Sequence, residues 1–100
     1  MLVVAGHVSL DPTKIEDARA ATEEIVRETL KEEGCNAYCF AVDLVEEGRI
    51  RVFEEWESQD ALDLHFKTPH MVAFQAAMGG LGIKEMVVHK YEISSKGPLG

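Results

Sequence analysis

Positive charge is scarce in this chain. Ten Lys+Arg stand against 18 Asp+Glu, giving a formal net charge of −8 at pH 7. Residues 11–33 hold eight acids and four bases, and residues 43–63 hold eight acids and two bases, so no basic stripe survives. That excludes nucleic acid or an anionic membrane as the expected partner, because phosphate recognition needs concentrated positive charge. Cysteine is equally sparse. Cys35 and Cys39 lie on one expected strand, where four residues of about 3.3 Å rise each put them beyond disulfide reach, and a reduced, cytoplasmic setting is the expectation. Long apolar runs are missing too. Leu2 to Ala5 has no basic leader and is too short for a signal or membrane segment, so the chain is read as mature from its start. Proline is limited to three residues and tryptophan to one, Trp56. What remains is 100 residues with 46% hydrophobic and 28% charged side chains, the composition of one globular domain.

Residues 2–10 are β-branched and apolar, and Asp11-Pro12 follows as an N-cap with proline at the first helical position. From Pro12 to about Glu33 the residues Ile15, Ala18, Thr22, Ile25, Val26, Thr29 and Leu30 recur at helical spacing, with Gly34 as the stop. Tyr38, Phe40, Val42 and Leu44 alternate over 36–44, and Glu46-Glu47-Gly48 turns the chain into a strand over 49–57. Ser58 caps a short helix over about 59–67, and Thr68-Pro69 starts another that runs to Met78. Residues 83–93 form the last strand, with Ile83, Val87, Tyr91 and Ile93 at alternate positions. The expected fold is α+β, a ferredoxin-like βαββαβ domain over 1–93 with a four-stranded antiparallel sheet, followed by a tail at 94–100. Strand one also offers Val3, Ala5 and His7 on its second face, and strand two offers Ala37, Cys39 and Ala41. A sheet face of this character needs a cover, most simply the same face of a second copy in a C2 homodimer.

Strand three carries the most chemical information. Its even positions read Ile50, Val52, Glu54, Trp56, so Glu54 falls on the inward face, where lost hydration raises a carboxyl pKa toward neutrality. Glu54 could also snorkel to the sheet edge or pair with a lysine or arginine. His65 shares the buried side of its helix with Ala61, Leu62 and Phe66, which suits a hydrogen-bonded core histidine or a catalytic one. His70 sits at the start of the following helix. The break at Pro69 disrupts the i, i+4 face of a two-histidine metal site and no nearby carboxylate motif completes it, so no metal is expected. Trp56, Tyr38, Phe40, Met71, Phe74 and Met78 are core by default, yet together they could line an aromatic-sized cavity with Glu54 and His65 at its wall. Gly79-Gly80-Leu81-Gly82 follows a helix and precedes a strand, the reverse of a nucleotide-binding loop, so no flavin or nicotinamide is expected.

The stretch FEEWESQDALDLHFKTPHMVAF, Phe53 to Phe74, resembles the E-x-W-x-S, L-x-x-H, T-P-H signature of the antibiotic biosynthesis monooxygenase domain family. LKEEGCNAY, Leu30 to Tyr38, resembles the segment before that family's second strand. Both are most similar to its quinol monooxygenase branch. The resemblance implies a dimeric α+β barrel and a cofactor-independent oxygenation of a quinol-like or polycyclic phenol by O2. Glu54, Trp56, His65 and His70 fall on motif positions, with His65 as the implied proton acceptor and Glu54 orienting or sharing the proton. Trp56, His70, Tyr38, Phe40, Phe74 and Asn36 are then the expected substrate contacts. Haem-degrading relatives use an Asn, Trp and His set; here Asn36 is the only asparagine and lies on strand two. An isomerase of a phosphorylated sugar, drawing on Arg49, Arg51 and Lys67, and a non-enzymatic ligand-binding dimer are the alternatives.

Overall fold

The computed structural model describes residues 1–100 and shows the expected element order. The strands are β1 (Leu2–Leu10), β2 (Cys35–Val42), β3 (Arg49–Trp56) and β4 (Ile83–Glu92), and the helices are α1 (Ile15–Thr29), α2 (Gln59–His65) and α3 (Pro69–Met78). All neighbours in the sheet order β2-β3-β1-β4 are antiparallel, which is the ferredoxin-like arrangement. No helix is long and apolar enough to cross a membrane.

Register decides which side chains can meet. Val4 pairs with Glu54, and Glu54 pairs with Tyr38; Leu2 and Cys35 both pair with Trp56. Leu2, Val4, Val8, Tyr38, Phe40, Val52, Glu54 and Trp56 therefore share the face toward the helices. Beneath the helices the core has two halves. One joins Val8, Leu10, Ile50, Ala18, Met78 and Leu81; the other joins Leu2, Ile25, Tyr38, Trp56 and Leu62. Phe40 and Phe74 pack against both.

Three expectations needed adjustment. The long first helix opens as a 3-10 turn over Pro12–Lys14 and its α-helical part stops at Thr29, with Leu30 half exposed rather than buried. Beyond it the amide of Lys31 bonds the Glu28 carbonyl and that of Glu32 bonds Thr29, so the chain winds down in tighter three-residue steps. Gly34, at φ +87, completes the stop. The short helix α2 ends at His65 rather than about residue 67, because Lys67 and Thr68 already turn back onto Leu64 and His65 before Pro69. In the last strand, an irregularity opposite Ser9/Leu10 puts Ile83 on the helix-facing side, while Val87 and Tyr91 face away from it.

β1 and β4 approach so closely at Gly6 that an added Cβ would stand 1.9 Å from the Val87 carbonyl oxygen. Because that obstacle is backbone, no rotamer change relieves it. Gly6→Ala is expected to destabilise the fold by about 1–3 kcal/mol through this overpacking, read as a lowered urea midpoint. An unchanged midpoint would contradict the packing described.

Candidate active site

A cavity of about 400 Å³ opens between the helix-facing side of the sheet and α3. Its wall includes Val4, Val52, Tyr38, Phe40, Phe74 and Met78, with Glu54 as its only titratable carboxyl group and no lysine or arginine. Of the expected substrate contacts, Tyr38, Phe40 and Phe74 line it. Asn36 and His70 do not: Asn36 is exposed at the irregularity between Cys35 and Ala37, and His70 borders a separate groove between α1 and α3. Trp56 and His65 are fully buried just behind the wall.

Glu54 is held from its own strand. The indole Nε1–H of Trp56, two residues on and therefore on the same face, donates to Glu54 Oε1 at 2.9 Å. Burial pushes the Glu54 carboxyl up to about 7, the negative charge of Glu32 adds to the rise, and the Trp56 hydrogen bond partly offsets it. The Tyr38 phenol is driven well above its ordinary range by burial, with Glu54 and Glu32 adding. Near neutrality Glu54 is thus the cavity group poised between its two protonation states.

Behind Trp56 stands the His65 ring, with centroids 4.8 Å apart, and Tyr38 meets the same imidazole edge-on at 5.3 Å. His65 is fixed by a residue the sequence did not single out. Glu32 Oε2 lies 2.8 Å from His65 Nδ1 and 2.7 Å from His70 Nε2. An ionised carboxylate only accepts, so both imidazole nitrogens donate to this one oxygen. In the neutral imidazole of His65 this is the Nδ1–H tautomer, with no proton on Nε2; Nε2 is buried and has no hydrogen-bond partner. The tight winding after α1 carries Glu32 inward to this position, and Thr68-Pro69 starts α3 so that His70 reaches the same oxygen. The expectation that no carboxylate accompanies the two histidines is therefore corrected: Glu32 supplies it from 33 residues away in sequence from His65. Nothing local distinguishes Glu32 from Glu33, which is exposed.

This fold and site define a small α+β domain with an apolar cavity, and comparison with known proteins names the class. Residues 1–77 match the profile of the Antibiotic biosynthesis monooxygenase family, and the chain belongs to that family. It is 32% identical over 93 residues to the uncharacterized protein sll1783 of Synechocystis, covering 93% of this chain and 63% of that protein. It is 38% identical over 65 residues to YgiN of Escherichia coli K12, named a probable quinol monooxygenase, covering 57% of this chain and 62% of that protein. The matches thus span just under two thirds of these relatives' own length. Among solved structures, a conserved protein of Methanosarcina mazei Go1 superimposes with a TM-score of 0.81 at 28% identity, over 90% of this chain and 88% of that one.

Glu54 makes stability depend on pH with a definite sign. Its carboxyl holds a proton more tightly in the fold, at about 7, than at its ordinary 4.5. Its contribution is greatest below about pH 4.5 and is lost as pH rises through 7. The loss is expected to be about 3 kcal/mol at most. Urea titrations of wild type and Glu54→Gln across pH 4–8 check this, with the wild type falling relative to the variant; parallel curves would contradict it.

Proposed function

We propose that this chain is a cofactor-independent monooxygenase that oxidises a quinol-like or polycyclic phenol with O2, and that it works as a homodimer. The observation that carries this reading is the apolar cavity with a single carboxyl in its wall, raised by burial to about 7. Such a site removes a phenolic proton and then holds the electron-rich anion beside O2 without water. A quinol and O2 give a hydroxyquinone and water, so the substrate supplies every reducing electron. Family membership supports the reaction class, and the name of the Escherichia coli relative supports a quinol as substrate. An isomerase acting on a phosphorylated sugar would need cationic residues at the ligand, yet none lines the cavity. Arg51 instead pairs with Asp43 and Arg49 approaches Glu85.

Because Glu54 lines the cavity and His65 stands behind it, we assign the first proton acceptance to Glu54. His65 is then a positioning residue, holding Trp56 while Trp56 holds Glu54. Trp56 is fully buried, so Trp56→Ala is expected to cost stability first, about 3–5 kcal/mol. The dimer reading rests on the sheet face opposite the helices, where Phe53, Val87 and Tyr91 are 41%, 37% and 50% exposed.

Oxygen uptake with a panel of hydroquinones, on chelator-treated protein, tests the activity. Turnover is expected to rise with pH through about 7 as Glu54 ionises. Glu54→Gln is expected to lower kcat by roughly 10²- to 10⁴-fold with a smaller change in KM. His65→Ala is expected to disturb the pH profile by loosening Glu54, and His65→Gln to preserve part of it. Absence of oxygen uptake with every quinol, or undiminished turnover by Glu54→Gln, would refute the assignment. Sedimentation equilibrium at low micromolar concentration is expected to give twice the 11.1 kDa chain mass; a clean monomer would refute the dimer.

A further inference from the structure

The Glu32, His65 and His70 cluster has a capacity that phenol oxidation does not use. Three elements bring one carboxylate oxygen and two imidazole nitrogens together, all within 4.8 Å of one another. None of the three side chains is freely solvated: His65 is at 0% exposure, Glu32 at 14% and His70 at 17%. Two nitrogens and one oxygen form a donor set suited to first-row divalent ions, whereas Mg²⁺ and Ca²⁺ require oxygen-rich sites. We propose that Glu32, His65 and His70 form a binding site for a transition-metal dication of the Zn²⁺ class, and that occupation switches the His65 tautomer.

The geometry is close to what such an ion needs. Metal–ligand bonds of about 2.0–2.2 Å in a tetrahedral site put donor atoms about 3.3 Å apart. The oxygen now stands 2.8 and 2.7 Å from the two nitrogens, so it must retreat by about half an ångström. The nitrogens, at most 4.8 Å apart, must close by about 1.5 Å or less. His70 can supply that movement, since it is partly exposed at the first turn of α3.

Open space adjoins the partly exposed member of the cluster. His70 borders a groove of about 180 Å³ between α1 and α3, where Ala20, Ala21, Ala73 and Ala77 leave room. Glu24 lines the same groove and gives an entering cation a negative guide.

Binding rearranges protons without requiring another reactant. In the metal-free cluster His65 Nδ1 carries hydrogen and donates it to Glu32. Coordination needs the Nδ1 lone pair, so the proton moves to Nε2 and the neutral imidazole keeps its single hydrogen. Nε2 has no hydrogen-bond partner. The imidazole is packed against the rings of Trp56 and Tyr38, so the proton arrives among aromatic side chains. The switch follows from the site alone; its effect on turnover rests on the proposed function. The other close histidine–carboxylate pair, His7 Nε2 and Glu85 Oε1 at 2.8 Å, has Arg49 at 3.9 Å from the same oxygen and so repels a cation.

Isothermal titration of tag-free, chelator-treated protein with ZnCl2 tests the site, with CoCl2 added in parallel to read visible ligand-field bands. One equivalent per chain is expected for Zn²⁺ and Co²⁺, and none for Mg²⁺. His70→Ala and Glu32→Gln are expected to weaken Zn²⁺ binding about tenfold or more, while His7→Ala leaves it unchanged. Circular dichroism identifies any variant that fails to fold, and His70→Ala, being partly exposed, keeps the test available if Glu32→Gln does not fold. No saturable Zn²⁺ binding, or binding that folded His70→Ala retains in full, would overturn the proposal. These readouts need no substrate, so their failure leaves the oxygenase reading standing, and failed oxygen uptake leaves the metal site standing.

Discussion

One carboxylate oxygen, Glu32 Oε2, holds two histidines from two helices, and the rest of the site is ordered behind it. Glu32 closes on His65 Nδ1 and His70 Nε2 within 2.8 Å, a pair of charge-assisted bonds in a mostly dry setting. His65 is thereby immobilised against Trp56 and Tyr38, and Trp56 in turn donates to Glu54 at the cavity wall. Each link is short range. Together they join the end of α1, the end of α2 and the start of α3 to the middle of the sheet.

The same arrangement accounts for the electrostatics of the cavity. No cation lies in its wall, so burial dominates at Glu54, the indole N–H alone favours the ionised form and offsets part of the rise, and the neighbouring Glu32 charge adds a smaller increase. A lysine or arginine there would hold Glu54 as a permanent carboxylate, too weak a base to take a proton from a phenol near neutrality. The apolar wall serves both needs: it shapes space for an aromatic ring and tunes the one group that can exchange a proton with it.

Local pattern made most of the fold legible. Alternation placed Glu54 on the inward face of β3, and the structure leaves it 8% exposed beside Val52 and Trp56. Two cap-plus-proline signals, at Asp11-Pro12 and Thr68-Pro69, mark real helical starts. What local pattern could not supply was Glu32. It sits in a run of charged residues, Lys31-Glu32-Glu33, that reads as a solvated helix end, and its inward turn depends on the tighter winding after Thr29 and on partners 33 and 38 residues away. The alternation of Ile83 with Val87 and Tyr91 does not hold for a similar reason, since a strand irregularity shifts the period-two pattern and leaves no mark in side-chain types. Asn36 shares a strand with Tyr38 but falls at an irregular, exposed position away from the cavity.

The clamp by Glu32 dictates a specific protonation pattern in the metal-free protein, and long-range ¹H–¹⁵N correlation spectra of its histidines read that pattern directly. His65 is expected to show a protonated Nδ1 and a bare Nε2 near neutral pH, with the pattern lost in folded Glu32→Gln. A neutral His65 carrying its proton on Nε2, or a pattern that Glu32→Gln leaves untouched, would contradict the account.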